Sequence, residues 1–273
     1  MRREIIHFNQ LKIEYLVFGS GKECILCMHG HGRSANDFEF LENKDRKVIS
    51  INLFHHGNSY FPDSRIEKKP IKIDEFYEMI INILDKENMS SFHCFAFSQG
   101  GRFILALLPY LKNQIRSITL LSPDGMDNNS FYNWSSRRKL LRELFISWEE
   151  KPQRLRKISD IAVKLRLMRP KVRDFVYKFT SDPQTMKRAS KSWRSFRSIM
   201  PNTKVIGQTI KEQNIPLLII MGEFDKIIRP SQAYRFIKKC KLKESVMEIK
   251  CGHDFFKKET VNLFKPHLLF NTQ

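Results

Sequence analysis

Short apolar segments alternate with amphipathic helical segments along most of this chain, and this alternation limits the folds that it can adopt. The chain opens with two segments of alternating polarity, Glu4–Phe8 and Lys12–Gly19, which are typical of an antiparallel strand pair. Parallel strands need helical crossovers, so the rest of the pattern predicts an α/β fold with a mostly parallel eight-stranded sheet and helices on both faces. The six further strands are predicted at Cys24–His29, Lys47–Leu53, Phe92–Phe97, Ser117–Leu121, Pro216–Gly222 and Ser245–Lys250.

The alternation is interrupted between Asp124 and Gly207, where 84 residues show helical periods and no strand candidate. The sequence therefore predicts a core formed by residues 1–123 and 208–273, with a helical cap of residues 124–207 inserted after the sixth strand. Within the core, helices are predicted at Ala35–Asn43, Ile73–Glu87, Gln99–Leu111, Ser231–Lys239 and Asp254–Phe270.

A serine lies where one predicted strand passes directly into a helix. Residues 95–101 read FAFSQGG, so no loop residue separates Ser98 from either element. A strand-to-helix turn this tight has space only for small residues two positions away on each side, and Ala96 and Gly100 meet that requirement. The pattern indicates a serine whose hydroxyl group is presented for chemistry.

Three further segments follow other predicted strands. They are residues 28–34 (MHGHGRS), residues 221–230 (MGEFDKIIRP) and residues 251–255 (CGHDF). Together with the serine turn, these segments resemble in chain order the motifs of the α/β-hydrolase family. The resemblance covers the chain except the predicted cap, and it implies the α/β-hydrolase fold of a capped serine hydrolase of the esterase type.

The resemblance implies a catalytic triad of Ser98, Asp225 and His253. His253 would take the proton of the Ser98 hydroxyl group, and Asp225 would orient the imidazole ring. Asp124 is the alternative acid, because some family members carry the triad acid after the sixth strand.

The resemblance also implies an oxyanion hole formed by the backbone N–H groups of His31 and Gln99.

Residues 52–59 (NLFHHGNS) match a family turn motif less well, because Asn52 and His55 depart from it, and this puts the geometry of that loop in doubt. We interpret His29 and His56 as hydrogen-bonded or packed structural side chains. No motif for a metal or a cofactor is identified.

In the family this strand-to-helix turn is called the nucleophile elbow. A serine at the elbow implies acyl chemistry, since relatives that open epoxides or cleave carbon–halogen bonds use an aspartate there. The implied activity is hydrolysis of a carboxylic ester or thioester of a small molecule through an acyl-enzyme. Carbon–carbon bond hydrolysis, which some capped family members perform, is the alternative within the family.

Basic residues outnumber acidic ones by 48 to 29, giving a formal charge of +19, and the predicted cap carries 20 of the basic and 8 of the acidic residues. This excess is consistent with attraction of an anionic substrate or an anionic membrane surface. It is equally consistent with basic helix faces that are exposed to solvent and bind nothing. It also suggests an alternative class of function, a basic binding protein that keeps the fold without catalysis. No nucleic-acid module is recognised, so a nucleic-acid partner is not expected.

The apolar runs are too short to span a membrane, because none approaches roughly 18 residues. No apolar h-region of a secretory signal follows Met1. The five cysteines fit buried thiols in a reducing compartment, because they are odd in number and mostly lie in or beside apolar runs. We therefore expect a cytoplasmic protein; the cysteines are Cys24, Cys27, Cys94, Cys240 and Cys251.

Overall fold

The computed structural model describes residues 1–127, 136–243 and 245–271, and residues 128–135 of the predicted cap lie outside this described part. Its centre is an eight-stranded sheet in the order β1-β2-β4-β3-β5-β6-β7-β8. The pairs β1–β2 and β2–β4 are antiparallel, and the remaining neighbours are parallel, which confirms the predicted fold class. The strands are β1 (Arg2–Phe8), β2 (Leu11–Phe18), β3 (Glu23–Met28), β4 (Arg46–Ile51), β5 (Phe92–Phe97), β6 (Ile115–Leu121), β7 (Leu217–Gly222) and β8 (Val246–Ile249).

Helices connect the parallel strands, and a run of helices separates β6 from β7. They are α1 (Asp63–Lys68), α2 (Ile73–Lys86), α3 (Gln99–Leu111), α4 (Lys139–Glu150), α5 (Pro152–Lys164), α6 (Pro170–Phe179), α7 (Pro183–Ser195), α8 (Thr203–Glu212), α9 (Pro230–Cys240) and α10 (Lys258–Phe264). The predicted helix at Ala35–Asn43 is a 3-10 helix at Ala35–Leu41.

The predicted helix over Asp254–Phe270 is much shorter in the structure. Only Lys258–Phe264 is α-helical, and short 3-10 segments at Lys265–His267 and Leu269–Asn271 follow it. Pro266 has no N–H group to donate to a carbonyl one turn earlier, so the α-helix does not continue through it.

The chain divides into two compact units. The first consists of Met1–Pro62, Ile71–Asn128 and Ser198–Gln273, and the second of Asp63–Pro70 and Asn129–Arg197. The second unit thus includes α1, whereas α8 belongs to the first unit, in which it packs against α3 and α9.

Helix α1 is held within the second unit by arginines from later in the chain. The guanidinium group of Arg142 donates to Glu67 Oε2 at 2.8 Å, and that of Arg197 donates to the carbonyl oxygen of Glu67 at 2.6 Å. Burial is the largest single influence and raises the pKa of Glu67, but the hydrogen bond from Arg142 and the positive charges of Arg142, Arg197 and Arg194 together outweigh it, so the pKa is lowered. Glu67 therefore joins α1 to this unit as a carboxylate.

A phenylalanine-rich core covers one face of the sheet in the first unit and supports the ends of its parallel strands. Phe95 and Phe97 of β5 are buried together with Phe38 and with residues from the C-terminal segment. Every residue of β5 is buried, as expected for a parallel strand covered on both faces. No helix in the described ranges has the length and apolar character needed to cross a membrane.

Candidate active site

Ser98 occupies the single position between β5 and α3. Its backbone has φ +49° and ψ −117°, a left-handed conformation that costs a non-glycine residue on the order of 1–3 kcal/mol. Three hydrogen bonds hold it there: Ser98 N–H donates to the Leu121 carbonyl at 3.0 Å, and the Ser98 carbonyl accepts from Gly101 N–H at 2.9 Å and Asp124 N–H at 2.8 Å. The neighbouring strand and helix thus stabilise the strained turn.

Two glycines allow other backbone segments to approach this turn closely. A Cβ atom on Gly100 would lie 2.0 Å from the carbonyl oxygen of Met28, so α3 can begin beside the end of β3 only with glycine at this position. A Cβ atom on Gly30 would lie 2.6 Å from the ring of Phe97 and 3.1 Å from Ser98 Cβ. The loop after β3 therefore packs directly against the elbow.

The structure brings Ser98, His253 and Asp225 into one hydrogen-bonded row. His253 Nε2 lies 3.0 Å from Ser98 Oγ, and His253 Nδ1 lies 2.6 Å from Asp225 Oδ2. An ionised carboxylate can only accept hydrogen bonds, so Nδ1 carries a proton, and in the neutral imidazole Nε2 is then the nitrogen that accepts from the Ser98 hydroxyl group. The ring of His253 also packs on Phe97, with 4.9 Å between ring centroids.

Asp225 is fully buried, and backbone groups fix its carboxylate. Its Oδ1 accepts from the N–H groups of Ile227 at 2.8 Å and Ile228 at 2.9 Å. Burial is the largest influence and raises the pKa of Asp225, but the hydrogen bonds from His253 and Ile228 outweigh it, so the pKa lies below its usual value. Asp225 is therefore ionised at neutral pH and faces the imidazole as an anion.

Asp124, the alternative acid, is engaged elsewhere. Its two carboxylate oxygens accept from Arg102 Nε at 2.8 Å and Nη2 at 2.9 Å, and Oδ1 also accepts from Gly125 N–H at 2.7 Å. The Arg102 side chain is fully buried, so this ion pair supplies its main compensation for the loss of water. In the structure Asp225, and not Asp124, is hydrogen-bonded to His253.

The two predicted oxyanion donors lie on segments next to Ser98. Gln99 is the first residue of α3, and N–H groups in the first turn of a helix have no intrahelical acceptor. His31 follows Gly30, which approaches Ser98, and a hydrogen bond of 3.2 Å from Arg33 N–H to the Gly30 carbonyl closes the turn around it. The role of these two N–H groups in binding an oxyanion stays a prediction.

Two buried histidines fix the loop that carries His31. His56 Nε2 accepts from Gly32 N–H at 2.9 Å, and His56 Nδ1 lies 3.0 Å from the Phe54 carbonyl. His29 Nε2 accepts from Leu53 N–H at 3.1 Å, and its Nδ1 lies 2.7 Å from the carbonyl of Gly30. Both rings are therefore neutral with the proton on Nδ1, which confirms their interpretation as hydrogen-bonded structural histidines.

A buried carboxylate that the sequence analysis missed supports the same loop. Glu14 on β2 accepts from Asn52 Nδ2 at 2.6 Å and from the side-chain amide of Asn58 at 2.6 Å. Asn52 Oδ1 in turn accepts from Ala35 N–H at 2.8 Å. Asn52 thus acts as both donor and acceptor, which an aspartate, typical of relatives at this position, could not do. A charged residue on the same strand face as Leu16 and Phe18 was the available sequence signal for Glu14.

The buried position of His29 predicts a pH effect on stability. Burial, the largest influence, and the nearby charges lower the pKa of His29 from 6.5 to about 4. Between these pH values the unfolded chain binds more protons, so the free energy of unfolding falls as pH falls, by about 3 kcal/mol in total from this residue. We expect the unfolding free energy of His29→Gln, measured by urea denaturation, to fall by about 3 kcal/mol less than that of wild type between pH 7 and pH 4.

The exposed residue His7 supplies a matched control, because His7→Gln removes an imidazole from the surface strand β1. The difference in pH dependence between His29→Gln and this control isolates the contribution of the buried ring. Equal pH slopes for His29→Gln and wild type would contradict the assignment of a neutral His29.

The sequence profile of the alpha/beta hydrolase fold matches residues 23–260. Together with the sheet topology and the serine elbow, this match shows that the chain belongs to the alpha/beta hydrolase fold family. A search of the curated proteins gave no match.

Solved structures of several hydrolases are similar to this chain over nearly its whole length. MGS-M2, an alpha/beta hydrolase enzyme from a Medee basin deep-sea metagenome library, has a TM-score of 0.65 and 14% identity, with 98% of this chain and 96% of that chain covered. The enol-lactonase from Burkholderia xenovorans LB400 has a TM-score of 0.64 and 15% identity, covering 99% and 100%. The thioesterase domain from the curacin biosynthetic pathway has a TM-score of 0.62 and 14% identity, covering 97% and 98%. At such low identity these similarities show the shared fold alone.

Proposed function

We propose that this protein is a serine hydrolase that cleaves a carboxylic ester or thioester through an acyl-enzyme on Ser98. The observation that carries the proposal is the hydrogen-bonded row from Ser98 Oγ through His253 to the buried carboxylate of Asp225. A serine hydroxyl group is a weak nucleophile at neutral pH, and a neutral imidazole at hydrogen-bond distance is the group that activates it.

In the first half-reaction Ser98 Oγ attacks the acyl carbon while His253 Nε2 takes its proton. Asp225 holds Nδ1–H and stabilises the imidazolium ion that forms. His253 then gives the proton to the leaving alcohol or thiol, and the acyl group stays on Ser98. In the second half-reaction His253 takes a proton from water as the water oxygen attacks the acyl carbon. His253 then gives this proton to Ser98 Oγ as the bond from the acyl carbon to Oγ breaks, which releases the carboxylic acid and restores the Ser98 hydroxyl group.

The oxyanion of each tetrahedral intermediate would accept hydrogen bonds from the backbone N–H groups of Gln99 and His31. The position of Gln99 at the start of α3 adds the positive end of the helix dipole. One donor of this kind typically contributes about 3 kcal/mol to the stability of the transition state.

The named activities of the similar structures, a thioesterase domain and an enol-lactonase, support acyl chemistry in this chain as well. We further propose an anionic acyl substrate, because of the formal charge of +19.

Five free cysteines, four of them buried, fit a reducing compartment such as the cytoplasm.

A substrate panel tests this function. We expect the purified protein to hydrolyse p-nitrophenyl esters of some acyl length and acyl-CoA thioesters with saturation kinetics. Added salt should lower kcat/KM for the anionic acyl-CoA and leave that for the uncharged ester nearly unchanged, because only the former is attracted by the basic surface. Absence of turnover across both series would contradict the proposed function, and equal salt responses would contradict the anionic substrate.

A further inference from the structure

The end of α5 and the turn that follows expose a row of large apolar side chains. Ile158, Ile161 and Leu165 are 46%, 56% and 63% exposed, and their spacing of three and four residues places them on one face of the helix. Leu167, in the turn before α6, is 80% exposed. We refer to residues 151–173 as the α5–α6 corner.

Backbone hydrogen bonds fix the turn that presents these side chains. Arg166 has a left-handed φ of +58°, and its N–H donates to the Val163 carbonyl at 3.0 Å. Leu167 N–H donates to the Ala162 carbonyl at 2.8 Å. A hydrogen-bonded turn thus holds Leu167 at the surface. The buried residue of α5 is Ser159, so the exposed apolar residues lie away from its buried side.

The same corner is strongly basic. Residues 151–173 include nine lysines and arginines and one acidic residue, Asp160. Asp160 accepts a hydrogen bond from the hydroxyl group of Tyr177 at 2.8 Å. Five of these basic residues form no ion pair with an acidic side chain in the described ranges. They are Lys157, Lys164, Arg166, Arg169 and Lys171.

We propose that the α5–α6 corner docks onto an anionic lipid surface. Leu165 and Leu167 would enter the boundary between headgroups and acyl chains, and the surrounding cations would bind the lipid phosphates. Exposed apolar residues set among basic ones suit such a surface. The apolar side chains gain contact with the acyl chains, and the basic side chains gain contact with the phosphates.

Two other occupants fit the corner less well. A second copy of this chain would bring one set of unpaired cations against another, and like charges in contact repel. A nucleic-acid backbone would use the cations and leave the exposed row Ile158–Leu167 in water. The lipid surface alone uses both features, and its binding does not depend on the proposed hydrolase activity.

Vesicle sedimentation tests this inference. The protein is mixed with phosphatidylcholine vesicles that contain either no phosphatidylglycerol or 40% phosphatidylglycerol. The variant Ser98→Ala is tested in parallel, so that no lipid can be hydrolysed on this serine. Binding to the anionic vesicles is expected, with weakening by salt. The double variant Leu165→Ser/Leu167→Ser should need at least about tenfold more lipid for half-maximal binding, since each leucine loses its burial in the lipid.

A charge variant and two matched controls complete the experiment. Lys164→Gln/Arg169→Gln should also need about tenfold or more lipid, because each cation near such a surface contributes on the order of a fivefold effect. Leu263→Ser on α10 and Lys238→Gln on α9 alter an exposed leucine and an exposed lysine of the other unit and should bind like wild type. Absence of wild-type binding, unchanged binding by both double variants, or binding to duplex DNA without binding to vesicles would overturn the inference.

Discussion

Ser98→Ala is expected to lower kcat for ester hydrolysis by on the order of 10⁶-fold. Ser98 Oγ is the atom that forms the acyl bond in the proposed mechanism, and it lies 3.0 Å from His253 Nε2. Alanine lacks that oxygen, whereas the backbone bonds that hold position 98 involve only main-chain atoms. The variant should therefore fold normally, and p-nitrophenyl ester hydrolysis at saturating substrate measures the loss.

Ser50→Ala is the matched control for this variant. The Ser50 hydroxyl group on β4 is buried and has no hydrogen-bond partner among the residues that the structure describes. Its removal should leave kcat near the wild-type value. Ester hydrolysis by Ser98→Ala at a wild-type rate would rule out Ser98 as the nucleophile.

Asp225→Asn is expected to lower kcat by on the order of 10⁴-fold. The carboxylate accepts from His253 Nδ1 at 2.6 Å and so keeps Nε2 free of a proton. An asparagine amide can donate to Nδ1, which favours the tautomer with the proton on Nε2, and that tautomer cannot accept the Ser98 proton. Steady-state kinetics with the same ester measure this loss. Because the pKa of Asp225 lies below its usual value, the loss should be present throughout the neutral range.

Two aspartates provide the comparison for this variant. Asp254→Asn removes a half-exposed carboxylate next to His253 in sequence, and its kcat should stay close to wild type. Asp124→Asn removes the partner of the buried Arg102 and should reduce stability, on the order of 3 kcal/mol, more than it reduces the kcat of the folded protein. A loss of 10⁴-fold with Asp124→Asn, together with a near wild-type rate for Asp225→Asn, would instead assign the acid to position 124.

The elements around the elbow could be predicted from sequence because their signals are local. The prediction for β5, Phe92–Phe97, and that for α3, Gln99–Leu111, coincide with the observed bounds. An apolar run, a small-x-Ser-x-Gly turn and a helical apolar period follow each other there without interruption. The order of the motifs along the chain also predicted which side chains would meet, since the carboxyl ends of parallel strands lie at one edge of the sheet.

Other features depend on contacts between distant parts of the chain, which a sequence pattern does not contain. Helix α1 has a single apolar residue, Ile66, and so shows no helical period; arginines more than 70 residues later hold it. The partner of Asn52 is Glu14, and the antiparallel register of β2 and β4, which pairs Tyr15 with Ile51, brings the two together. Neither the register of β2 and β4 nor the position of the arginines that hold α1 can be read from a short stretch of sequence.

Covalent labelling by a fluorophosphonate tests most directly whether the His253–Asp225 pair activates Ser98. The probe phosphonylates an activated serine with release of fluoride, and mass spectrometry of the digested protein locates the bond. We expect one label per chain, on the peptide that contains Ser98, and its loss in His253→Gln and in heat-denatured protein. An unmodified Ser98 peptide in the native wild-type protein, or equal labelling of His253→Gln, would contradict this account.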